Sequence, residues 1–400
     1  MIARPAPGQR HHGRNIALDR ARTFITVLVL LNHAVVTYTQ FGRFYPKHYL
    51  WSTAPIVDNA RWFGFNFITL FNDTFFMSLM FLLSGLFVWP SLQRKGIGHF
   101  LRDRALRLGL PFLAAIFIIM PIAYYASFRL TGSTIGFIEF YLSNFRDGVW
   151  FAGPGWFIWF LLLLDLIVIP VYLFAPQAII AINRLSLRSA QRPMLFAGAL
   201  AIVTIIAYVP MLFQVGAVRW FSIGPFQVQY SRVLVYGVFF FAGVGIGAAG
   251  LNAGLLARTG QLAQRWALWL IAAAVSFGLL AVLINFRRMR LSNIAGAPPF
   301  WWQSSYGVIY AVACVAISLA ILALFLRFGQ RERSIFDPIQ GEAYGMFLLH
   351  YPFCLWIQYA LLSAPLPAIA KVAIVFPATL AVSYGLTVIL RRLPGMTRVL

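Results

Sequence analysis

Ten stretches of about 20 apolar residues restrict this chain of 400 residues to folds that use lipid as their solvent. Hydrophobic residues make up 61% of the chain and charged residues 10%, which is far more apolar than a soluble globular protein. Because backbone polar groups in hydrocarbon must be bonded within the segment, stretches of this length form helices. The sequence therefore predicts an all-α, multi-pass membrane protein with about ten spans: Thr23 to Phe41, Phe67 to Trp89, Leu106 to Phe128, Trp156 to Ala175, Leu195 to Val215, Val233 to Leu255, Trp266 to Phe286, Gly307 to Leu326, Tyr344 to Leu362 and Ile369 to Leu390.

The distribution of positive charge predicts how these spans are oriented. With a cytoplasmic N-terminus, the cytoplasmic segments hold 21 of the 32 Lys and Arg residues, the opposite loops hold 10, and Lys371 lies within the tenth stretch. Cytoplasmic loops are the ones enriched in Lys and Arg, so both termini are expected in the cytoplasm. The same bias explains most of the net charge of +22, and no nucleic-acid partner is needed.

The sequence predicts a single domain over residues 1–400. It divides into a basic cytoplasmic tail at 1–21, a membrane bundle at 22–391 and a second cytoplasmic tail at 392–400. The two cysteines, Cys314 and Cys354, both lie inside apolar stretches. This placement favours neither a disulfide framework nor a thiolate metal site, and we expect no metal.

Arg22 and His33 stand eleven residues apart in the first apolar stretch. Eleven steps of about 100° come close to a whole number of helical turns, so the two side chains share one face, about 16 Å apart along the axis. Arg22 would lie at one membrane surface and His33 near the middle. A histidine at that depth usually faces a polar cavity and indicates a functional site, although a structural histidine and a purely topological arginine are the alternatives.

Five motifs occur in a fixed order along the chain, and together they resemble the membrane acyltransferase 3 family. In order they are the Arg-x10-His element of Arg22 and His33, the aromatic-rich Phe75 to Phe87 with Leu83-Ser84-Gly85, the basic run Phe100 to Phe112, Gly153-Pro154-Gly155-Trp156-Phe157, and Tyr344 to Pro352. The fourth motif is somewhat similar to that of transferases that succinylate periplasmic glucans. Some of those proteins carry a His before the Trp-Phe pair, where this chain has Gly155.

The resemblance implies an enzyme of the bacterial inner membrane. Such an enzyme takes an acyl group, acetyl or succinyl-like, from a cytoplasmic acyl-CoA and places it on a hydroxyl of an envelope glycan or related acceptor. Acetyl-CoA is the expected donor substrate, and no permanently bound cofactor is expected. The partners implied are therefore acyl-CoA, a hydroxyl-bearing acceptor and the bilayer.

Acyl transfer to an alcohol needs a base, and an imidazole suits that role because its ordinary pKa lies near neutrality, so His33 is the candidate base. Asp73, in the second stretch, is the candidate carboxylate that orients His33. Arginines near the cytoplasmic surface suit the phosphates of CoA, and the candidates are Arg22, Arg102, Arg104 and Arg107. A topological role under the positive-inside rule is the alternative for all four.

Four further residues are candidates for acceptor binding: Trp156, His350, Trp62 and Trp150. For the tryptophans the alternative is an interfacial aromatic belt, and for His350 it is a cap on a helix end. Ser84 and Gly85 are interpreted as a notch for helix packing rather than a nucleophile. The alternative function is a secondary transporter or lipid-carrier flippase, which predicts two related halves with broken spans.

Overall fold

The computed structural model describes residues 15–291, 297–330 and 332–400, so residues 1–14 of the predicted N-terminal tail lie outside the described part of the chain. The all-α prediction is confirmed, and the described residues add one antiparallel hairpin, β1 (Trp220–Ile223) with β2 (Phe226–Gln229). The helices are α1 (Ile16–Val36), α2 (Gly64–Gly85), α3 (Val88–Arg104), α4 (Leu110–Ala114), α5 (Met120–Arg129), α6 (Phe137–Arg146), α7 (Trp156–Phe174), α8 (Pro176–Arg188), α9 (Pro193–Val215), α10 (Val233–Ala248), α11 (Gln261–Gln264), α12 (Trp266–Arg290), α13 (Phe300–Phe328), α14 (Ala343–Ala360) and α15 (Ala368–Arg391).

Each predicted apolar stretch contains a helix, and within the described residues eight helical segments are long and apolar enough to cross a membrane. The chain is therefore a multi-pass membrane protein. The first and ninth stretches, α1 and α14, also form helices but are not among those eight. These two helices carry His33 and His350, and they pack against each other in the bundle.

The two ends of the bundle are named here from α1: the proximal end is where α1 begins at Ile16, and the distal end is where it stops at Val36. α1 begins before the predicted Thr23, because the side chain of Asn15 accepts a hydrogen bond from the backbone N–H of Ala17 and caps the helix. His33 consequently lies in the last turn of α1 and not near the middle of this helix.

The centre of the bundle is built from α13, α2 and α10, whereas α12 and α15 lie at its periphery. α2 and α10 approach closely because both carry glycine at the contact. A methyl group on Gly85 would meet the carbonyl oxygen of Phe240, and one on Gly247 would meet that of Leu86. The packing interpretation of Gly85 is thus supported, and Ser84 hydrogen-bonds the carbonyl of Met80 in its own helix.

The third stretch belongs to one helical run over Val88–Arg129, which is kinked at Gly96 and contains two π-helical turns, Ala105–Gly109 and Ala115–Ile119. Pro111 follows the first of these turns and has no N–H for the carbonyl of Arg107, four residues earlier. The hydroxyl of Tyr344 in α14 donates to that carbonyl instead, at 2.5 Å. π-helical turns are frequent at functional sites.

A buried ion pair fixes the distal loop between α1 and α2. The ammonium of Lys371 in α15 lies 2.7 Å from the carboxylate of Asp58, and both side chains are almost fully buried. Asp58 also accepts the backbone N–H of Ala60. The lysine that the sequence places inside a span is therefore neutralised by a loop residue, which folds the loop over the distal end of α1.

Candidate active site

Two histidines meet at the contact between α1 and α14. The ring centroids of His33 and His350 are 5.3 Å apart, and the ring of Tyr351 lies edge-on to His33 at 4.9 Å. His350 is fully buried, whereas His33 is half-buried and keeps access to the surface. The amide of Gln358 donates to the backbone carbonyl of His33 at 2.8 Å and joins the two helices directly beside the imidazoles.

The hydrogen bonding of His350 indicates which of its ring nitrogens carries the proton. Its Nδ1 lies 2.7 Å from the carbonyl oxygen of Phe347, an acceptor, so Nδ1 is the donor and Nε2 has the free lone pair. Nε2 is buried and has no partner among the described residues. A buried acceptor without a partner is costly, which makes Nε2 available to a substrate hydroxyl or to the ring of His33.

The turn before α7 packs onto the same cluster. Gly153 has a φ of +42°, a conformation that favours glycine, and a side chain there would meet Tyr351 and Met120. Tyr351 in turn lies 6.0 Å, ring to ring, from Tyr124 of α5. His33, Gly153 and Tyr351 belong to the first, fourth and fifth sequence motifs, which are more than a hundred residues apart along the chain. These three motifs therefore meet at the distal half of the bundle.

Three of the four candidate donor-binding arginines gather near the proximal end. Arg22 is exposed, lies over the ring of Phe87 at 5.3 Å, and is close enough to Arg104 and Arg107 for their charges to interact. Arg107 is exposed on the first π-helical turn of the third stretch. Arg102 is exposed on α3 and is not among the charges that act on Arg22.

Arg104 is held in place by a buried carboxylate. Its Nε lies 3.1 Å from Oδ2 of Asp165 in α7, a side chain that is 1% exposed, and its guanidinium lies over the ring of Phe100 at 4.9 Å. This pair neutralises one positive charge of the cluster and leaves those of Arg22 and Arg107. Asp165 is thereby placed beside the cationic cluster.

Asp73 has a different partner from the one expected. Its carboxylate is bound by both terminal nitrogens of Arg232, at 2.7 and 2.5 Å, and no hydrogen bond joins it to His33 within the described residues. Asp73 lies on α2 where that helix faces α10 and α13, whereas His33 faces α14. The pairing of Asp73 with His33 is therefore corrected, and a direct role of Asp73 with substrate stays a prediction.

The three candidate tryptophans occupy different places at the distal half. Trp156 begins α7 with its ring 5.3 Å from that of Tyr236, and Trp150 lies edge-on to Phe145 at 5.2 Å. Trp62 is 43% exposed in the loop before α2, where it packs against Phe65. Only Trp156 adjoins the turn that carries Gly153.

Sequence reasoning missed Arg232, which it counted as an ordinary loop charge. Two signals could have indicated its role. Asp73 lies inside an apolar stretch and requires a counter-charge, and Arg232 directly precedes another such stretch. Within the described residues, no group of three or more His, Cys, Asp or Glu side chains could hold a metal ion, and Cys314 and Cys354 are buried free thiols.

Together, the fold and the site define a multi-pass membrane protein with a cationic cluster near the start of its first described helix and an imidazole pair near the end of that helix. A family model described as an acyltransferase domain matches residues 15–388, nearly the whole chain. The chain belongs to this family, acyltransferase 3, as its motifs indicated, and is an acyltransferase. No curated protein and no solved structure matches the chain.

Proposed function

We propose that this acyltransferase moves an acyl group from a cytoplasmic acyl-CoA to a hydroxyl of an envelope glycan, across the inner membrane of a bacterium. The observation that carries the proposal is the arrangement of α1. This one helix has Arg22 beside two further arginines near its proximal end and His33 against His350 near its distal end. The two side chains share a face about 16 Å apart, a distance that the pantetheine arm of CoA can span.

The proximal cluster supports a polyanionic donor. Arg22 and Arg107 are exposed, and among the described residues neither forms a close ion pair like that of Arg104 with Asp165, so their guanidinium groups are accessible to phosphate oxygens. Arginine binds phosphate through paired N–H donors, which suits the phosphates of CoA. The excess of positive charge in the segments expected in the cytoplasm supports a cytoplasmic position for this cluster, on the side where acyl-CoA is made.

The distal cluster supports transfer to a hydroxyl. Nε2 or Nδ1 of His33 takes the proton of the acceptor hydroxyl as its oxygen bonds to the thioester carbonyl carbon. The carbon–sulfur bond then breaks, and the imidazolium returns the proton to the departing CoA thiolate. His350 contributes as a positioning residue, because its ring packs against His33 and its own proton is held by the carbonyl of Phe347.

The acyl group carried over is acetyl or succinyl-like, and acetyl-CoA is the first donor to test. Purified protein is placed in liposomes with radiolabelled acetyl-CoA or succinyl-CoA on one side and a bacterial glucan on the other. We expect label in the glucan and an equal amount of free CoA, only when the donor faces the proximal end. Absence of CoA release with either donor, with and without glucan, would contradict the proposal.

A further inference from the structure

The hairpin of β1 and β2 lies beside the bundle at the depth of its helices and not above its distal end. The ring of Phe226 lies 5.4 Å from that of Trp159 in α7 and 5.7 Å from that of Phe112 in α4. Trp159 is six residues past Gly153 and therefore about 9 Å closer to the proximal end. Phe112 is eight residues past Arg104 and therefore about 12 Å closer to the distal end. The tip of the hairpin thus lies at a level between the cationic cluster and the imidazole pair, within the depth of the membrane-spanning segments.

The sheet lies across α7, with its two faces toward the two ends of the bundle. Phe226 and Trp220 belong to opposite faces, because side chains alternate along a strand. Phe226 contacts Trp159, whereas the ring of Trp220 lies 6.0 Å from that of Trp156, which is one turn closer to the distal end. The indole N–H of Trp159 donates to the backbone carbonyl of Gln227 at 2.9 Å, so the outer edge of β2 faces α7. The outer edge of β1 therefore points away from that helix.

Four backbone groups on the outer edge of β1 have no partner. Residue pairs of antiparallel strands alternate between bonded and non-bonded. The backbone N–H of Tyr230 donates to the carbonyl of Arg219, so the next residue of this strand that bonds to β2 is Phe221. The N–H and C=O groups of Trp220 and Ser222 consequently point outward, and no hydrogen bond reaches them from any described residue.

Neither water nor lipid satisfies this edge. Three of its four side chains are apolar and exposed: Trp220 by 50%, Phe221 by 36% and Ile223 by 63%. Water would bond the backbone groups but would not solvate these side chains favourably. Hydrocarbon would solvate the side chains but would leave the backbone groups unpaired, and open sheet edges do not occur against lipid in the hydrocarbon region. A second apolar strand supplies both the backbone hydrogen bonds and the apolar packing.

We propose that β1 pairs with β1 of a second copy of this chain, so that the two hairpins form one antiparallel sheet of four strands. The two-fold axis passes beside Phe221 and places Trp220 opposite Ser222 of the partner subunit. In this register, four hydrogen bonds satisfy every outward backbone group of both strands. The axis is perpendicular to the sheet and therefore runs along the bundle, which gives both copies the same orientation in the membrane. The contact is self-complementary, as a two-fold dimer requires.

Disulfide formation tests the register. Phe221 would face its own copy in a non-hydrogen-bonded pair with the two Cα atoms about 4.5 Å apart, a distance that a disulfide can bridge. Full-length Phe221→Cys protein in liposomes is oxidised with copper phenanthroline, and the native Cys314 and Cys354 stay unreacted because both are fully buried. The control is Ile223→Cys, which is more exposed but would lie about 13 Å along the strand from its copy. We expect at least about tenfold more linked dimer from Phe221→Cys than from this control.

A second pair of variants keeps the proposal testable if the cysteine protein does not fold. Ser222→Pro removes an outward N–H that β2 does not use, and proline is tolerated on edge strands, so this protein should fold as a monomer. Ser222→Ala keeps the N–H and should remain a dimer. Light scattering in a mild detergent measures both masses. A monomeric wild type, a dimeric Ser222→Pro or equal linkage of the two cysteine variants would overturn the proposal, whether or not the protein turns over acyl-CoA.

Discussion

His33 and His350 face each other across the contact between α1 and α14, with ring centroids 5.3 Å apart. They lie on the two helices that are too polar to count among the candidate membrane spans of the described chain. Polar groups inside a membrane bundle are expensive and commonly mark functional sites, which is consistent with the catalytic role proposed for this pair.

His350→Gln should lower kcat about tenfold, the equivalent of one hydrogen bond of about 1.4 kcal/mol. The KM for donor and acceptor should change little, because the substitution affects the partner of His33 and not the binding of substrate. The pH profile of kcat should also move, since the protonated ring of His33 loses its neighbouring imidazole. His99→Gln, a change in an exposed histidine, is the control. An unchanged pH profile together with a lower melting temperature would make His350 merely structural.

Arg22→Gln should raise the KM for acyl-CoA by about 10-fold to 100-fold, because one charge-assisted hydrogen bond to phosphate is worth about 1.5 to 3 kcal/mol. The KM for the acceptor should stay within about twofold. Rising salt should weaken donor binding in the wild type and less so in the variant, since it screens exposed charges. Arg94→Gln, in an exposed arginine of α3, is the matched control. Equal effects of both variants on the KM for acyl-CoA would show that Arg22 does not bind the donor and serves only the orientation of the protein in the membrane.

Gly247→Ala should destabilise the fold by about 1 to 3 kcal/mol, because its new methyl group would overlap the carbonyl of Leu86 and push α2 from α10. Gly237→Ala in the same helix is the control, as a methyl group there meets nothing within 4 Å. The free energy of unfolding in mixed detergent micelles measures both. A Gly247→Ala protein as stable as wild type would show that the two helices do not pack as described.

A pH dependence follows from the pair of Arg20 and Asp337. The guanidinium of Arg20 donates to both carboxylate oxygens at 2.8 Å and lowers the pKa of Asp337 from its ordinary 3.8. A carboxyl group whose pKa is lowered on folding contributes stability above its ordinary pKa, and that contribution is lost as the pH falls through the lowered value. The melting temperature should therefore fall on acidification below about pH 4.

Asp337→Asn should reduce the fall in melting temperature on acidification. Asp147→Asn should leave that fall unchanged, because Asp147 is exposed and its carboxylate lies 3.6 Å from the guanidinium of Arg146, which is also exposed. The comparison is made by melting all three proteins between pH 3 and pH 7. If the melting temperature of Asp337→Asn falls on acidification as much as that of the wild type, other carboxylates are responsible.

Much of this fold could be predicted from the sequence, because each span is encoded locally by its own apolar run. The shared face of Arg22 and His33 is also local, since it depends only on helical periodicity. The neighbours of His33 could not be predicted, because His350 and Tyr351 lie more than 300 residues away and are joined to it only by packing. The partner of Asp73 could not be predicted either, because Arg232 lies 159 residues away and is brought to Asp73 only by packing.

The start of α1 was mispredicted for a physical reason. The sequence prediction places Arg20 in the basic tail at 1–21, so the first span is expected to begin after it. In the structure Arg20 is buried, bound by Asp337 and by the carbonyl of Gly329, and the helix extends back to Ile16. The Asn15 cap sets where α1 begins, and the ion pair of Arg20 with a distant loop neutralises the charge that its first turns carry into the bundle.

The central claim is that His33 is the base for acyl transfer, and single-turnover transfer by His33→Ala tests it most directly. Purified wild type, His33→Ala and the control His48→Ala, an exposed loop histidine, are each mixed with labelled acetyl-CoA and glucan, and the rate of CoA release is measured. We expect His33→Ala to lose about 10²-fold to 10⁴-fold in rate while its melting temperature and donor binding stay close to wild type, and His48→Ala to keep full activity. A rate in His33→Ala within a few-fold of wild type would contradict the account.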